Sequence, residues 1–146
     1  MKVRDILKTK KRSTITAGPR TAVVDAMKLL IDNKVSCLPV EDADGHLVGI
    51  ISDKDIFHKI YQNPTGFGEV AVGDLMTTDL IVGLPDDEMS YIAGVMTNNR
   101  IRHVPIVDND RIIGLISVGD VAKTQMENIK IENRYLKQYI DGTYPG

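Results

Sequence analysis

The chain carries one pattern twice, and that repetition constrains its fold more than any single residue does. Val35-Ser36-Cys37-Leu38-Pro39-Val40 precedes Gly49-Ile50-Ile51-Ser52-Asp53-Lys54-Asp55-Ile56, and Ile101-Arg102-His103-Val104-Pro105-Ile106 precedes Gly114-Leu115-Ile116-Ser117-Val118-Gly119-Asp120-Val121. Within 146 residues each copy is too small to bury a good core alone. The two copies are expected to pack on each other and leave a pair of related clefts at the seam.

The copies align with a drifting offset. Val3-Arg4-Asp5-Ile6-Leu7 matches Val72-Gly73-Asp74-Leu75-Met76 at 69, Pro39 matches Pro105 at 66, and Gly49, Ser52 and Asp55 match Gly114, Ser117 and Asp120 at 65. The first length change is placed around Ala17-Gly18-Pro19-Arg20, and the second at the turn Asp42–His46 against the shorter Asp108–Arg111. Each copy reads β-α-β-β-α. Ser13–Thr16 and Leu80–Val82 are short β-rich runs, and Thr21 and Asp86 are expected caps of the helices that follow. Apolar positions recur at helical spacing through Val23, Met27 and Leu30, and through Met89, Ile92, Ala93 and Met96. Cys37–Val40 with Leu47–Ile51, and His103–Val107 with Ile112–Ile116, read as hairpins, and a second helix opens at Ser52 and at Ser117. The expected division is repeat one at 1–61, a Pro/Gly linker at 62–71, repeat two at 72–125 and a helical extension at 126–146. A broken stripe of Val118, Val121, Ala122, Met126, Ile129, Leu136 and Ile140 needs a surface to lie on, either the chain's own module or a partner subunit. Gly142-Thr143-Tyr144-Pro145-Gly146 cannot continue that helix.

Composition excludes several function classes. A net charge of −2 offers no bulk basic field for nucleic acid, and the local Lys8-Lys10-Lys11-Arg12 cluster reads as a solvated loop. Cys37 is the single cysteine; it rules out an internal disulfide and a thiolate zinc site, and its apolar surroundings favour a buried, inert thiol. Met1-Lys2-Val3-Arg4-Asp5 leads into no long apolar stretch, and no window approaches a membrane span, so the expected location is cytoplasmic. His46, His58 and His103 are not spaced as metal ligands, and Asp86-Asp87-Glu88 reads as an acidic helix start. With no phosphate-binding glycine loop and no nucleophile–base pair, catalysis is not expected.

The chemistry rests on Ser52-x-x-Asp55 and Ser117-x-x-Asp120, each at a strand-to-helix junction. Ser at the N-cap with an acid three residues on resembles a capping box, worth about 1 kcal/mol. The same geometry also suits a nucleotide: a helix N-terminus and a hydroxyl for phosphate, a carboxylate for two vicinal sugar hydroxyls. Neither motif alone separates these readings; their recurrence behind Gly-apolar-apolar, after an apolar-Pro-apolar strand, favours the nucleotide.

Together these residues resemble a tandem of cystathionine-β-synthase-type (CBS) domains, a Bateman module, over about Val3 to Lys123. Arg102–Ile106, Gly114–Lys123 and the tail Tyr135-Leu136-Lys137-Gln138-Tyr139-Ile140-Asp141-Gly142 are similar to stand-alone CBS-pair proteins of bacteria and plant organelles. The resemblance implies an α/β (α+β) fold of two β-α-β-β-α repeats about a pseudo-twofold axis, with a long C-terminal helix and adenine nucleotides bound in two clefts. AMP, ADP, ATP, NAD(H) and S-adenosylmethionine are the ligands of that family. Carried onto this chain, Asp55 and Asp120 hold ribose hydroxyls while Ser52 and Ser117, serines where many relatives have threonine, face phosphate. Val35, Ser36, Ile101 and Arg102, with His103 adjacent, line the adenine and phosphate regions. Thr14-Ile15-Thr16 and Leu80-Ile81-Val82 wall the base. The clefts are shared, so the Asp120 site also borrows Thr14, Ile15, Val35 and Ser36, and Arg102 makes it the tighter one.

Two function classes follow. One is a non-catalytic regulatory module that binds AMP, ADP, ATP or NAD(H), senses energy or redox state, and acts on an unidentified partner protein. The other is a dimerisation or interaction scaffold with unoccupied clefts. An enzyme of the inosine monophosphate dehydrogenase kind is not expected, since these 146 residues hold no catalytic barrel or loop cysteine. A homodimer built on the repeat helices and the C-terminal helix is expected.

Overall fold

The computed structural model describes residues 1–10 and 13–142, leaving out the side chains of 127–133, 135 and 139. The elements in order are α1 (Val3–Thr9), α2 (Val23–Asn33), β1 (Cys37–Glu41), β2 (Leu47–Ser52), α3 (Asp53–Gln62), a 3₁₀ turn (Phe67–Glu69), α4 (Val72–Leu75), α5 (Met89–Asn99), β3 (His103–Asp108), β4 (Arg111–Ser117) and α6 (Val118–Ile140). β1 pairs with β2 and β3 with β4, both antiparallel, in two separate two-stranded sheets. The registers repeat: Leu38 faces Ile51 as Val104 faces Ile116. All four side chains are fully buried, as expected where alternate strand positions face a helix.

The runs read as first strands are reduced in the structure to single bridges. Ala17 pairs in parallel with Val40, and Gly83 with Ile106, while Ser13–Thr16 and Leu80–Val82 are irregular. Each bridging residue makes two backbone bonds to its hairpin, Ala17 N–H to Pro39 and Glu41 N–H to Ala17, and Gly83 N–H to Pro105 and Val107 N–H to Gly83. The expected caps also differ. Helices α2 and α5 start from Ala22 and Glu88 without a side-chain cap bond. Thr21 Oγ1 instead accepts from Gly18 N–H, and Asp87 Oδ2 from Leu84 N–H, tightening the preceding turns. Asp86 pairs with Arg4.

The repeats exchange their leading helices. Val3, from the start of copy one, is fully buried in the core built by Met89, Ile92, Val104 and Ile116 of copy two. Val72, from the start of copy two, is buried in the core of Val23, Leu38, Val40 and Ile51. The exchange is written in matched backbone bonds: Val3 N–H to Asp87 and Val72 N–H to Thr21, Arg4 N–H to Pro85 and Gly73 N–H to Pro19. Gly114 and Gly49 make it possible, because a Cβ there would strike Leu7 behind α1 and Met76 behind α4. Neither core is complete without a residue from the other copy, which is why two half-size units fold as one.

These contacts also relocate the first length change. Gly18, Pro19 and Thr21 occupy the same positions as Leu84, Pro85 and Asp87, an offset of 66, while α1 and α4 still align at 69. The three extra residues of copy one therefore lie between Leu7 and Ala17, where α1 runs on to Thr9 while α4 stops at Leu75, and not at Ala17–Arg20. The second change is where it was expected: Asn109 and Asp110 close the β3–β4 hairpin with φ of 52° and 63°, the left-handed pair that a two-residue turn requires. The C-terminal residues 143–146, with their helix-breaking sequence, lie outside the described residues, as do Lys11 and Arg12 of the basic cluster. On α6, Val121 packs against the second core, whereas Met126, Leu136 and Ile140 are exposed.

Candidate ligand cleft between the repeats

Both Ser-x-x-Asp pairs are capping boxes. Ser52 N–H donates to Asp55 Oδ2 at 2.9 Å and Asp55 N–H to Ser52 Oγ at 3.2 Å. Ser117 N–H donates to Asp120 Oδ2 at 2.8 Å and Asp120 N–H to Ser117 Oγ at 3.2 Å. Their surroundings differ. Asp120 is the buried charged residue of the described chain, and Lys10 Nζ lies 2.8 Å from its Oδ2. Burial pushes the Asp120 carboxyl up, but the hydrogen bonds from Lys10 and Ser117 and the Lys10 charge outweigh it and hold the group below its ordinary value of 3.8. Asp120 is thus an anion at neutral pH.

Beside Lys10 a two-chambered cleft opens across the seam. One chamber, about 550 Å³, is lined by Thr14, Ile15, Asn33 and Val35 from copy one and by Ile113 and Leu115 of β4. The other, about 510 Å³, is lined by Lys34, Val35 and Ser36 from copy one and by His103, Leu115 and Ser117 from copy two. Lys10, Val35, Cys37 and Leu115 line both. Ser36 Oγ and His103 Nε2, 3.2 Å apart, join the repeats across it. Burial, with help from the Arg102 and Lys10 charges, lowers the His103 pKa below 6.5, so the ring is neutral at pH 7. Burial pushes the Cys37 thiol up to about 12, and Asp53 adds to the effect; it is an inert wall.

The structure thus brings Thr14, Ile15, Val35, Ser36, His103 and Ser117 to one cleft, with Asp120 bound to Lys10 at its edge. Thr16 is apart, its hydroxyl donating to Glu41. Ser52, Asp55, Ile101 and Arg102 line none of the four cavities described: Arg102 is exposed, and Ile101 packs on the second core. Leu80 lines a separate cavity of about 510 Å³ with Val48, Thr78, Asp79 and Asp110, and Ile81 is exposed. The asymmetry has a physical cause. After the four-residue α4 the chain turns extended, and Thr77 exchanges two backbone bonds with Ile50 of β2. After the seven-residue α1 no such bridge is found among the described residues; the equivalent carbonyl, Leu115, accepts from Lys10 Nζ at 2.6 Å. Strand β2 is thus met by backbone at Ile50, whereas β4 is met at Leu115 by a lysine side chain.

Lys10 is the site residue that sequence reading missed. It was grouped with its basic neighbours as solvated, yet it reaches a residue 110 positions away. Its signal was available in the length difference, since Lys10 falls in the stretch between Leu7 and Ala17 that is three residues longer than its counterpart in copy two.

The CBS domain model matches residues 3–62 and 72–127. The chain belongs to the CBS-domain family. It is similar to the mitochondrial CBS domain-containing protein CBSX3 of Arabidopsis thaliana, 31% identical over 97% of this chain and 73% of the relative. Among solved structures it resembles the CBS domain pair of MJ0100 in complex with 5′-methylthioadenosine and S-adenosyl-L-methionine, with a TM-score of 0.78 and 29% identity over 88% of this chain and 98% of that one. It also resembles CBSX2 in complex with AMP, TM-score 0.73 and 29% identity, over 86% of this chain and 96% of that one. This CBS pair is therefore a mixed helix-and-strand module of two repeats. None of its described helices is long and apolar enough to cross a membrane.

Proposed function

We propose that this CBS pair is a non-catalytic regulatory module that binds one adenine nucleotide, AMP, ATP or NADH, in the two-chambered cleft and passes its occupancy to a partner protein in the cytoplasm. The observation that carries the reading is the cleft itself: residues from both repeats enclose it, an ionised Asp120 lies at its edge, and Ser117 lines its polar chamber. In this pose Asp120 accepts from the ribose hydroxyls, Ser117 faces the phosphate, and Thr14, Ile15 and Val35 wall the base. Relatives of the same fold hold AMP or methylthioadenosine and S-adenosylmethionine, which supports an adenosine core as the shared recognition element. A ligand spanning both repeats stabilises their seam, and this is how occupancy is read by a partner.

The proposed assembly is a homodimer through the helical faces. An apolar groove of about 350 Å³ runs between α2 and α3, and Ile31 and Phe57 beside it are 71% and 72% exposed. The same exposed face favours the second reading, a scaffold whose clefts stay empty. Thermal shift with adenosine, AMP, ADP, ATP, NADH and S-adenosylmethionine separates them: a rise in Tm with adenine nucleotides supports the sensor, and a flat panel supports the scaffold. Sedimentation at micromolar concentration tests the dimer, and a monomer there counts against it.

A further inference from the structure

We propose that Lys10 is the ligand-facing cation of this cleft and makes it select adenosine ligands that carry negative charge over neutral or cationic ones. The proposal rests on the adenosine reading of the cleft and adds to it a residue and a selectivity.

The Lys10–Asp120 pair has capacity left over. Asp120 Oδ2 takes Lys10 Nζ, Ser117 N–H and Ser117 Oγ, while Oδ1 takes no donor among the described contacts. The Lys10 ammonium has three N–H groups and gives two of them, to Asp120 Oδ2 and to the Leu115 carbonyl. An acceptor and a donor are thus held side by side, ready for a hydroxyl and an anionic oxygen of one ligand. The pair also stands in the right place. Lys10 lines both chambers, as does Leu115, whose carbonyl its ammonium meets. Its side chain keeps 33% of its exposure, against 11% for Asp120, so the lysine remains reachable from the cleft's solvent side.

The charges around the polar chamber favour an anion. Lys10 and Lys34 line it, and Arg102 is close enough to act on His103, with Asp53 and Asp120 as opposing acids. Where the Thr77 backbone takes the place of the Lys10 contact, the cavity lined by the adjoining Thr78 carries Asp79 and Asp110, beside His46, and no lysine or arginine. A phosphate fits the first and not the second. Arg102, the cation read from the sequence, lines neither.

The test is calorimetry on wild type, Lys10→Met, Lys10→Arg and Lys8→Met with AMP, adenosine and S-adenosylmethionine. Lys8 is an exposed cation in the last turn of α1, two residues before Lys10, that lines neither chamber, and serves as the control. Wild type is expected to bind AMP most tightly and S-adenosylmethionine most weakly. Lys10→Met should weaken AMP by roughly tenfold or more, the scale of a charge-assisted hydrogen bond, and leave adenosine within about threefold. Lys10→Arg should restore most of the AMP preference, and Lys8→Met should change nothing. Loss of structure would lower all ligands together, so the AMP-to-adenosine ratio is the readout. An unchanged ratio in Lys10→Met overturns the proposal. So does an equal gain for every ligand, which would make Lys10 a competitor for Asp120. If wild type binds none of the three, the adenosine reading itself has failed.

Discussion

Replacing Asp120 and Asp55 by asparagine, one at a time, separates the ligand role from the cap role within a single fold. The two boxes are geometrically alike: the Ser N–H to Asp Oδ2 distances are 2.8 and 2.9 Å, and the return bonds are both 3.2 Å. Asn keeps the shape and an acceptor but removes the charge. A charge-assisted bond is worth about 1.5–3 kcal/mol against about 0.5–1.5 for a neutral one, so each variant loses about 1 kcal/mol at its cap. Asp120→Asn also loses the Lys10 pair. Because that lysine is a third exposed, solvent screening limits the pair to roughly 0–1 kcal/mol. The expected cost is about 1–2 kcal/mol for Asp120→Asn and about 1 kcal/mol for Asp55→Asn, a Tm drop of roughly 3–6 °C against roughly 3 °C for a chain of this size. Ligand affinity should diverge far more. Asp120→Asn gives up a ribose hydroxyl bond to a charged acceptor and should weaken AMP by about tenfold, or 1.4 kcal/mol. Asp55→Asn touches no cleft residue and should shift it less than about twofold. Scanning calorimetry and isothermal titration on the three proteins decide it. If both variants weaken AMP equally, or if Asp120→Asn leaves it unchanged, the assignment of the ligand to the Asp120 cleft is wrong.

The depressed Asp120 pKa means that its contribution to stability is full above the ordinary carboxylate range and is lost as pH falls through the lowered folded value. Tm measured from pH 6 to pH 2.5 should therefore fall less steeply in Asp120→Asn than in wild type, and parallel acid limbs would refute the linkage. Cys37, buried with its pKa near 12, should resist a disulfide reagent at pH 8 in the folded protein and react stoichiometrically in denaturant; rapid labelling of folded protein would contradict its burial. Gly114→Ala crowds the Leu7 side chain of α1, three residues before Lys10. It should lower Tm, at an overpacking cost of about 1–3 kcal/mol, and weaken AMP at the same time; a drop in Tm with AMP affinity untouched would show that α1 does not position the cleft.

The hairpins, the two repeat helices and the capping boxes were legible because each rests on local signals: strand alternation, helical spacing, turn residues and Ser-x-x-Asp at a strand end. The cleft-lining set from copy one, Thr14, Ile15, Val35 and Ser36, followed from the resemblance to a family with shared clefts. What escaped depended on relations between the copies. The leading segments Val3–Leu7 and Val72–Met76 were seen to match, but nothing local says that each packs into the other copy's core. The first strands were overread, since β-rich runs at the margin of a two-stranded sheet found one bridging position each, at Ala17 and Gly83. The sequence reads Arg102 as the phosphate cation from its position before a strand; in the structure it lines none of the described cavities, while Lys10, just past the longer α1, lines two. Thr77, pairing with Ile50, likewise covers the edge of the second cleft through backbone atoms that carry no side-chain signature.

The central claim is that one open cleft, shared by the repeats, takes one adenine nucleotide. Titration calorimetry of the wild-type protein with AMP measures the number of sites directly. The structure leads to a single saturable site per chain, removed or weakened about tenfold by Asp120→Asn and insensitive to Asp55→Asn. Two sites of equal affinity, or no heat and no Tm shift with any adenine nucleotide at millimolar concentration, would contradict it.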